Sequence, residues 1–205
     1  MQTDSTSPSE RPRLALLVYP GFSEYEVAVA LTLLAEKYTV VSIGLSTDPV
    51  RGEGGLLVTP EQALTDIHAD GFEVALIPGA GDFQCLVGIS ELNTFFKDMH
   101  TQGKVLGAIC GGPFVLGQAG VLENVPYTAS LTMEQRAFLK VLPEAQFEYS
   151  DVVRPGNIIT AQGHAFVKFG LALAEALGTV NNMDETRKFY GGSGNTLMEQ
   201  DMAGV

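Results

Sequence analysis

The sequence predicts an α/β protein in which a mainly parallel sheet is covered by helices on both faces. Short apolar runs that stop at Gly or Pro are typical of strands buried on both faces. Longer segments with helical apolar spacing lie between these runs, and the alternation indicates βαβ units. We therefore expect one flavodoxin-like, three-layer domain over residues 13–205, preceded by a disordered polar tail over residues 1–12.

The first half of the chain carries the patterns of three strands and two helices. Ser23 and Ser90 stand at the start of the helical patterns as candidate N-caps, and Gly103 is placed to end the second helix. The segment 47–65, rich in Gly, Pro and polar residues, predicts a short hairpin at the sheet edge. The predicted strands are 13–19, 38–45 and 73–77, and the predicted helices are 23–37 and 90–103.

The second half continues the alternation of strands and helices. A helical pattern ends at Pro143, a predicted hairpin turns at Pro155-Gly156, and Gly178 closes the last apolar-faced helix. The predicted elements are a strand over 104–109 followed directly by a helix, further helices over 132–142 and 164–178, and a hairpin over 147–163.

The composition disfavours several classes of partner. The formal net charge of −12 argues against binding to nucleic acid, because phosphate contacts need clustered Lys and Arg. No apolar run approaches the roughly 20 residues that cross a bilayer, and the polar start lacks the apolar region of a signal peptide. Cys85 and Cys110 are too few for a disulfide framework and lack metal-ligand spacing. We expect a cytoplasmic protein with no membrane partner, no nucleic-acid partner and no metal.

Cys110 is the first candidate for chemistry, because it stands where a predicted strand ends. Sites in open α/β sheets form at the carboxyl ends of the strands. Gly111, Gly112 and Pro113 permit a sharp turn into the next helix, which is the geometry of a nucleophile elbow. The alternative is a buried core cysteine, since free cysteines are among the most buried residues. The break after Cys110 makes the two interpretations about equally strong.

Two glutamates follow the first predicted strand at the same edge. Glu24 or Glu26 could hydrogen-bond the Cys110 sulfur, and a carboxyl kept protonated by burial would donate to a thiolate. The alternative is that both complement the dipole of the helix that they begin. The sequence pattern alone leaves both interpretations open.

A Gly-rich turn, Pro78 to Gly81, follows the strand 73–77. Its backbone N–H groups, that of Ala80 in particular, could join the N–H of Gly111 in stabilising an oxyanion. The turn does not match GxGxxG, and no P-loop lysine follows it, so we expect no nucleotide or other cofactor.

Histidine is scarce at this edge. His68 and His100 each precede a strand and therefore belong to the opposite edge, whereas His164 follows a strand directly. His164 is the one histidine placed to act as a base toward Cys110, with a capping or surface role as the alternative.

These segments together resemble the ThiJ/PfpI superfamily over residues 13–180, in "AICGGPFVLGQAGVL", "LIPGAG" and "VVRPGNIITAQG". The superfamily has a class I glutamine amidotransferase-like fold and includes a Parkinson's-disease-associated redox chaperone and intracellular peptidase-like proteins. The resemblance implies that Cys110 is the elbow cysteine, that Glu26 contacts it, and that Ala80 and Gly111 are main-chain donors. It also implies a homodimer.

One position departs from the family pattern. Members with glyoxalase-like or hydrolytic activity usually carry a histidine shortly after the elbow helix, where this chain has Ser130 in "PYTAS". The resemblance implies either a cysteine-dependent hydrolase, amidotransferase-like or glyoxalase-like enzyme, or a stress-related redox protein. The alternative is a ligand-sensing or chaperone-like dimer without turnover. The partner would be a small-molecule substrate or an oxidant.

The two cysteines are expected to differ in reactivity. We expect the pKa of Cys110 to lie below the usual value of about 8.5, because a helix end and a donor from Glu26 favour the thiolate. Cys85, among apolar neighbours in "GDFQCLVG", is interpreted as a packing residue.

Overall fold

A computed structural model describes residues 11–191 of the chain. Most of the predicted tail and the last 14 residues of the predicted domain lie outside the described residues. The strands are β1 (Arg13–Leu17), β2 (Thr39–Gly44), β3 (Val50–Arg51), β4 (Leu57–Val58), β5 (Gln62–Ala63), β6 (Val74–Ile77), β7 (Val105–Ile109), β8 (Val152–Val153) and β9 (Ile158–Ala161). The helices are α1 (Tyr25–Leu34), α2 (Ser90–Thr101), α3 (Pro113–Gln118), α4 (Met133–Leu139), α5 (Phe166–Leu177) and α6 (Met183–Tyr190).

The central sheet has seven strands in the order β5-β2-β1-β6-β7-β9-β8. All neighbouring strands are parallel except β8 and β9, which form the predicted hairpin. After Arg13, which begins β1, the strands β1, β6 and β7 are apolar, and Leu14, Ala75 and Ala108 have no exposed surface. Burial on both faces is what continuous apolar runs predict for a parallel sheet. The predicted α/β, flavodoxin-like sandwich is confirmed.

Helices cover the sheet in two layers. On one face α1 packs against α5, and α2 packs with α3 on the other. An ideal Cβ on Gly170 would lie 2.8 Å from the backbone nitrogen of Ala30, so glycine permits the close approach of α1 and α5. An ideal Cβ on Gly107 of β7 would meet Phe169 and Leu173 of α5 at 3.0 and 3.2 Å. The layers therefore meet at positions where side chains would not fit.

The helices differ from the predicted ones at several places, and α4 ends at Leu139, before the predicted stop at Pro143. Ser23 does not cap α1, because its hydroxyl donates to the carboxylate of Glu53 and the N-cap position falls on Glu24. Ser90 is the first residue of α2, and its hydroxyl donates to Glu91. Helix α6 was not predicted, because it buries no residue and so has no apolar face to reveal it. The predicted stop of the last apolar-faced helix at Gly178 is confirmed by its left-handed conformation.

Candidate active site

Cys110 occupies a strained corner between β7 and α3. Its φ is 61°, in the left-handed region that side chains rarely adopt. The corner is held from both sides, because the Cys110 N–H donates to Ala161 at 2.9 Å and the Ser130 N–H donates to the Cys110 carbonyl at 2.9 Å. An ideal Cβ on Gly112 would lie 2.4 Å from the Ile77 carbonyl oxygen, so the turn requires glycine there. The predicted elbow geometry is confirmed, whereas the reactivity of the sulfur stays a prediction.

Glu26 points inward from the first turn of α1 and is completely buried. Its Oε2 accepts a hydrogen bond of 2.6 Å from the Gly79 N–H, at the end of β6. Its Oε1 is buried and has no partner with hydrogen-bond geometry among the described residues, although the carboxyl interacts directly with the Cys110 thiol. The structure thus brings Glu26 to Cys110, as the resemblance implied.

Two glycines enclose this carboxyl and thiol. An ideal Cβ on Gly163 would lie 2.9 Å from Glu26 Oε1 and 3.1 Å from Cys110 Sγ. An ideal Cβ on Gly79 would lie 2.9 Å from both Glu26 Oε2 and Cys110 Sγ. Any larger residue at either position would press on both reactive groups. This role was not predicted. Gly79 was noted only as part of a Gly-rich turn, and the contacts of both glycines with Glu26 and Cys110 depend on tertiary packing.

The pKa values of the two groups are both displaced upward. Burial first, and then the charge on Glu26, raise the pKa of the Cys110 thiol to about 12, against smaller opposing effects of the Gly111 N–H and Ser130. The expected pKa below about 8.5 is therefore wrong, because burial and a carboxylate outweigh the donors. Burial also raises the pKa of Glu26. Burial therefore disfavours the charged form of both groups and favours the thiol form of Cys110.

Ser130 lies beside the sulfur. Its hydroxyl interacts with Cys110 and accepts a hydrogen bond of 2.8 Å from the Gly163 N–H. In the sequence, Ser130 stood out only as a departure from the family pattern. Its position in a loop before α4 gave no signal that it contacts the thiol, because that contact depends on how the loop packs on β9.

The two predicted main-chain donors are brought to the same place. An ideal Cβ on Gly111 would lie 3.8 Å from the Ala80 carbonyl oxygen, and the Gly111 N–H donates toward the Cys110 sulfur. Ala80 is fixed by a β-bridge to Phe22. Phe83 lies over Gly111, 3.2 Å from that ideal Cβ, and forms an apolar cover on the turn. That these two N–H groups stabilise an oxyanion stays a prediction.

His164 stands at the carboxyl end of β9, next to Gly163, as the sequence predicted. Its ring is exposed, and Nε2 lies 3.0 Å from Asp151 Oδ1. Lys168 donates to the other oxygen of the same carboxylate. The imidazole is therefore engaged with a surface carboxylate, and a role as base for Cys110 stays a prediction.

Cys85 differs from its predicted role in packing. A short 3₁₀ helix, Gln84–Leu86, turns Leu86 into the core and leaves Cys85 exposed. The prediction was wrong because a 3₁₀ turn orients neighbouring side chains in different directions, and its three residues were too few to show a period.

Glu24 proves to have a structural function. Its carboxylate accepts hydrogen bonds from the N–H groups of Gly54 at 2.8 Å and Leu56 at 3.1 Å, in the β3–β4 hairpin. The structure therefore separates the two glutamates: Glu24 holds the hairpin over the start of α1, and Glu26 faces the thiol.

Residues 11–191 form neither a metal-binding cluster nor a membrane-spanning helix. This part of the chain has no group of three or more His, Cys, Asp or Glu placed to hold a metal ion. No helix within it is long and apolar enough to cross a bilayer.

Comparison with known proteins agrees with this geometry. The chain is 29% identical over 170 residues to the glutathione-independent glyoxalase DJR-1.2 of Caenorhabditis elegans, covering 80% of this chain and 88% of that one. It is 26% identical to the protein dj-1beta of Drosophila melanogaster, over 84% and 93% of the two chains. The DJ-1 superfamily protein Atu0886 of Agrobacterium tumefaciens shares the fold, with a TM-score of 0.78 and 23% identity over 88% and 98% of the chains. The model of the DJ-1/PfpI family matches residues 12–176, and the chain belongs to this family.

Proposed function

We propose that the protein is a cysteine-dependent enzyme that converts small α-oxoaldehydes into α-hydroxy acids without an added thiol. The observation that carries the proposal is the buried Glu26 carboxyl, which faces the Cys110 thiol at a strained corner. A carboxyl whose pKa is raised by burial suits proton transfer near neutral pH. The glyoxalase name of the relative from Caenorhabditis elegans supports the same reaction.

The first step is attack of Cys110 on the aldehyde carbon. The thiol proton passes to the Glu26 carboxylate as the S–C bond forms, and the C=O π electrons move to oxygen. The N–H groups of Gly111 and Ala80 receive the resulting oxyanion. Glu26 then returns the proton to that oxygen, which gives a hemithioacetal on Cys110. No imidazole is needed, because the carboxyl both takes and returns the proton.

The second step moves hydrogen within the bound substrate. The Glu26 carboxylate removes the proton from the former aldehyde carbon, and the neighbouring carbon is protonated through the enediol. The aldehyde carbon is thereby oxidised and the ketone carbon reduced, so no external oxidant is consumed. Water then cleaves the thioester, which releases the α-hydroxy acid and the Cys110 thiol. The net reaction adds one water to the α-oxoaldehyde.

The geometry gives less support to a redox sensor. Peroxide oxidises the thiolate, and burial together with the charge on Glu26 keeps Cys110 in the thiol form. A nucleophile that loses its proton only during attack is consistent with both displaced pKa values. We further propose a cytoplasmic location, because a free Cys110 thiol is kept reduced there.

The test is the formation of lactate from methylglyoxal in the absence of glutathione. We expect turnover by the wild-type protein and by Cys85→Ala, and loss of turnover in Cys110→Ala. Equal lactate formation by Cys110→Ala, or none by the wild type at millimolar methylglyoxal, would contradict the proposal. Binding of methylglyoxal without lactate formation would favour the alternative of a ligand sensor.

A further inference from the structure

A polar network adjoins the Cys110 thiol and reaches it through Ser130, beside Gly163. The network is a chain of hydrogen bonds centred on the Gln162 amide. Gln162 Nε2 lies 3.0 Å from Thr128 Oγ1, and Gln162 Oε1 lies 3.4 Å from Ser130 Oγ. Thr128 is completely buried and Gln162 is 8% exposed. A buried network of this kind fixes the direction of each hydrogen bond, because every donor needs an acceptor.

The direction is set at the buried end. The Thr128 hydroxyl donates its one proton to the Ser150 carbonyl at 2.9 Å, and a carbonyl oxygen only accepts. Thr128 Oγ1 must therefore accept from Gln162, which turns the amide NH₂ toward Thr128 and Oε1 toward Ser130. The Gln162 side chain consequently offers Ser130 an acceptor and not a donor.

Ser130 then has one proton and two acceptors. Its oxygen already accepts from the Gly163 N–H at 2.8 Å. Ser130 lies against Cys110, because its N–H donates to the Cys110 carbonyl at 2.9 Å and an ideal Cβ on Gly163 would be 3.1 Å from Cys110 Sγ. The Ser130 proton is therefore free to point either to Gln162 Oε1 or toward the Cys110 sulfur. The bond to Gln162 is long at 3.4 Å, whereas O–H···O bonds are usually about 2.7–2.8 Å. A long bond is readily exchanged for one to a negatively charged sulfur.

We propose that Ser130 is the switchable hydrogen-bond donor to the Cys110 sulfur, and that Gln162 is the positioning residue that holds its proton while the sulfur is neutral. The hydroxyl turns from Gln162 to Cys110 as negative charge develops on sulfur, during attack and again when the thioester breaks. This role rests on the proposed function in one respect, that Cys110 is the nucleophile. It needs neither the α-oxoaldehyde substrate nor complete turnover.

The proposal predicts effects of opposite sign for the two residues. The readout is the rate of Cys110 alkylation by iodoacetamide as a function of pH, in a Cys85→Ala background with one remaining thiol. Ser130→Ala removes the donor and is expected to slow alkylation about tenfold, which corresponds to about one pKa unit. Gln162→Met removes the competing acceptor at similar length and is expected to speed alkylation about two- to threefold. Ser130→Thr keeps the hydroxyl and should restore most of the rate.

A second variant keeps the test decisive if Gln162→Met does not fold. Thr128→Val removes the hydroxyl that orients the amide, so Gln162 is free to present its NH₂ to Ser130, and alkylation should again become faster. Circular dichroism establishes which variants are folded. Slower alkylation in both Gln162→Met and Thr128→Val, or an unchanged rate in Ser130→Ala, would overturn the proposal. If the wild type forms no lactate from methylglyoxal but the variants show the expected alkylation rates, the result contradicts the proposed function and leaves the role of Ser130 supported.

Discussion

At the scale of single residues, the proton shared by Glu26 and Cys110 governs reactivity. Glu26→Gln removes both the negative charge that raises the pKa of Cys110 and the group that takes its proton. We expect the pKa of Cys110 to fall below about 12 but to stay above its usual value, because burial, the larger cause, remains. Alkylation at pH 9 should therefore become faster, whereas lactate formation should fall by about 10²-fold or more.

The two measurements on Glu26→Gln separate two functions of the carboxyl. A proton acceptor is lost in this variant, but a hydrogen-bond donor is retained. Unchanged lactate formation would show that Glu26 acts only as a donor to the thiolate.

A second residue-scale prediction concerns His164. Its imidazole contacts Asp151 and is largely exposed, so His164→Ala should change the alkylation rate of Cys110 by less than about twofold. The matched control is Asp151→Asn, which keeps the shape of the partner. If the alkylation rate of Cys110 near neutral pH fell tenfold or more in His164→Ala but not in Asp151→Asn, the imidazole would be established as a base.

Residue-scale inference from the sequence succeeded where the backbone pattern is local. The corner at Cys110 was predictable because Gly111 and Gly112 tolerate a sharp turn and Pro113 suits the first turn of a helix. The raised pKa of Cys110 was not predictable, because burial and the approach of Glu26 depend on how α1 packs on the sheet. Local signals reveal a turn, but the environment of a side chain is a tertiary property.

At the scale of elements, Glu24 is one of several contacts that hold the β3–β4 hairpin, beside the Ser23–Glu53 hydrogen bond and a main-chain bond from Glu53 to Phe22. Glu24→Ala removes the acceptor for the N–H groups of Gly54 and Leu56 and should loosen the hairpin. We expect faster proteolysis near residues 52–56 and a loss of about 1 kcal/mol in the free energy of unfolding, a small effect because the carboxylate is exposed.

Glu24→Gln is the matched control for the hairpin. Its amide oxygen can still accept one of the two hydrogen bonds, so it should fall between the wild type and Glu24→Ala. Equal proteolysis of all three proteins would mean that other contacts hold the hairpin.

Elements were predictable from the sequence to the extent that they bury an apolar face. The turn at Gly156 and the stop at Gly178 were predictable because glycine readily adopts a positive φ, as both glycines do here, and because both lie between apolar runs. Helix α6 was missed because it buries none of its residues. The order of the strands was not predicted, since strand order depends on contacts between segments far apart in the chain.

At the scale of the whole molecule, buried groups with raised pKa values make stability depend on pH. Burial raises the pKa of Tyr127 to about 12, against about 10 in an unfolded chain. A group whose pKa is higher in the folded state than in the unfolded chain contributes its full stabilisation at pH values below the unfolded-state pKa. This stabilisation is lost as the pH rises through the folded-state pKa. The free energy of unfolding of the wild type should therefore fall between about pH 10 and 12.

Tyr127→Phe should flatten this fall by about 1–2 kcal/mol, because it removes the buried hydroxyl that ionises. Urea unfolding at several pH values measures the effect. Tyr149→Phe is the control, since Tyr149 is 91% exposed. If the free energy of unfolding falls with pH equally in the wild type, Tyr127→Phe and Tyr149→Phe, ionisation of Tyr127 does not oppose folding.

We also propose that the protein forms a homodimer through the surface around α1 and the β3–β4 hairpin. Tyr25, Leu56 and Leu57 are each more than half exposed there, and Tyr25 and Leu56 line an apolar cavity of about 670 Å³. Covering such a surface is favourable in water. Leu56→Glu should give a monomer by light scattering at micromolar concentration, whereas Phe138→Glu, on exposed α4, should leave the dimer intact. A monomeric wild type would refute this proposal.

The two glycines that enclose the carboxyl and thiol have a consequence for synthesis of the protein. Glu26, Gly79, Cys110 and Gly163 come from four distant parts of the chain, and a ribosome produces the last of them after the other three. Until β9 pairs with β7, the nascent Cys110 lacks the cover of Gly163 and its hydrogen bond to Ala161. The unfinished chain thus carries an ordinary, unguarded thiol, and the distinctive chemistry of Cys110 begins only when translation has passed residue 163.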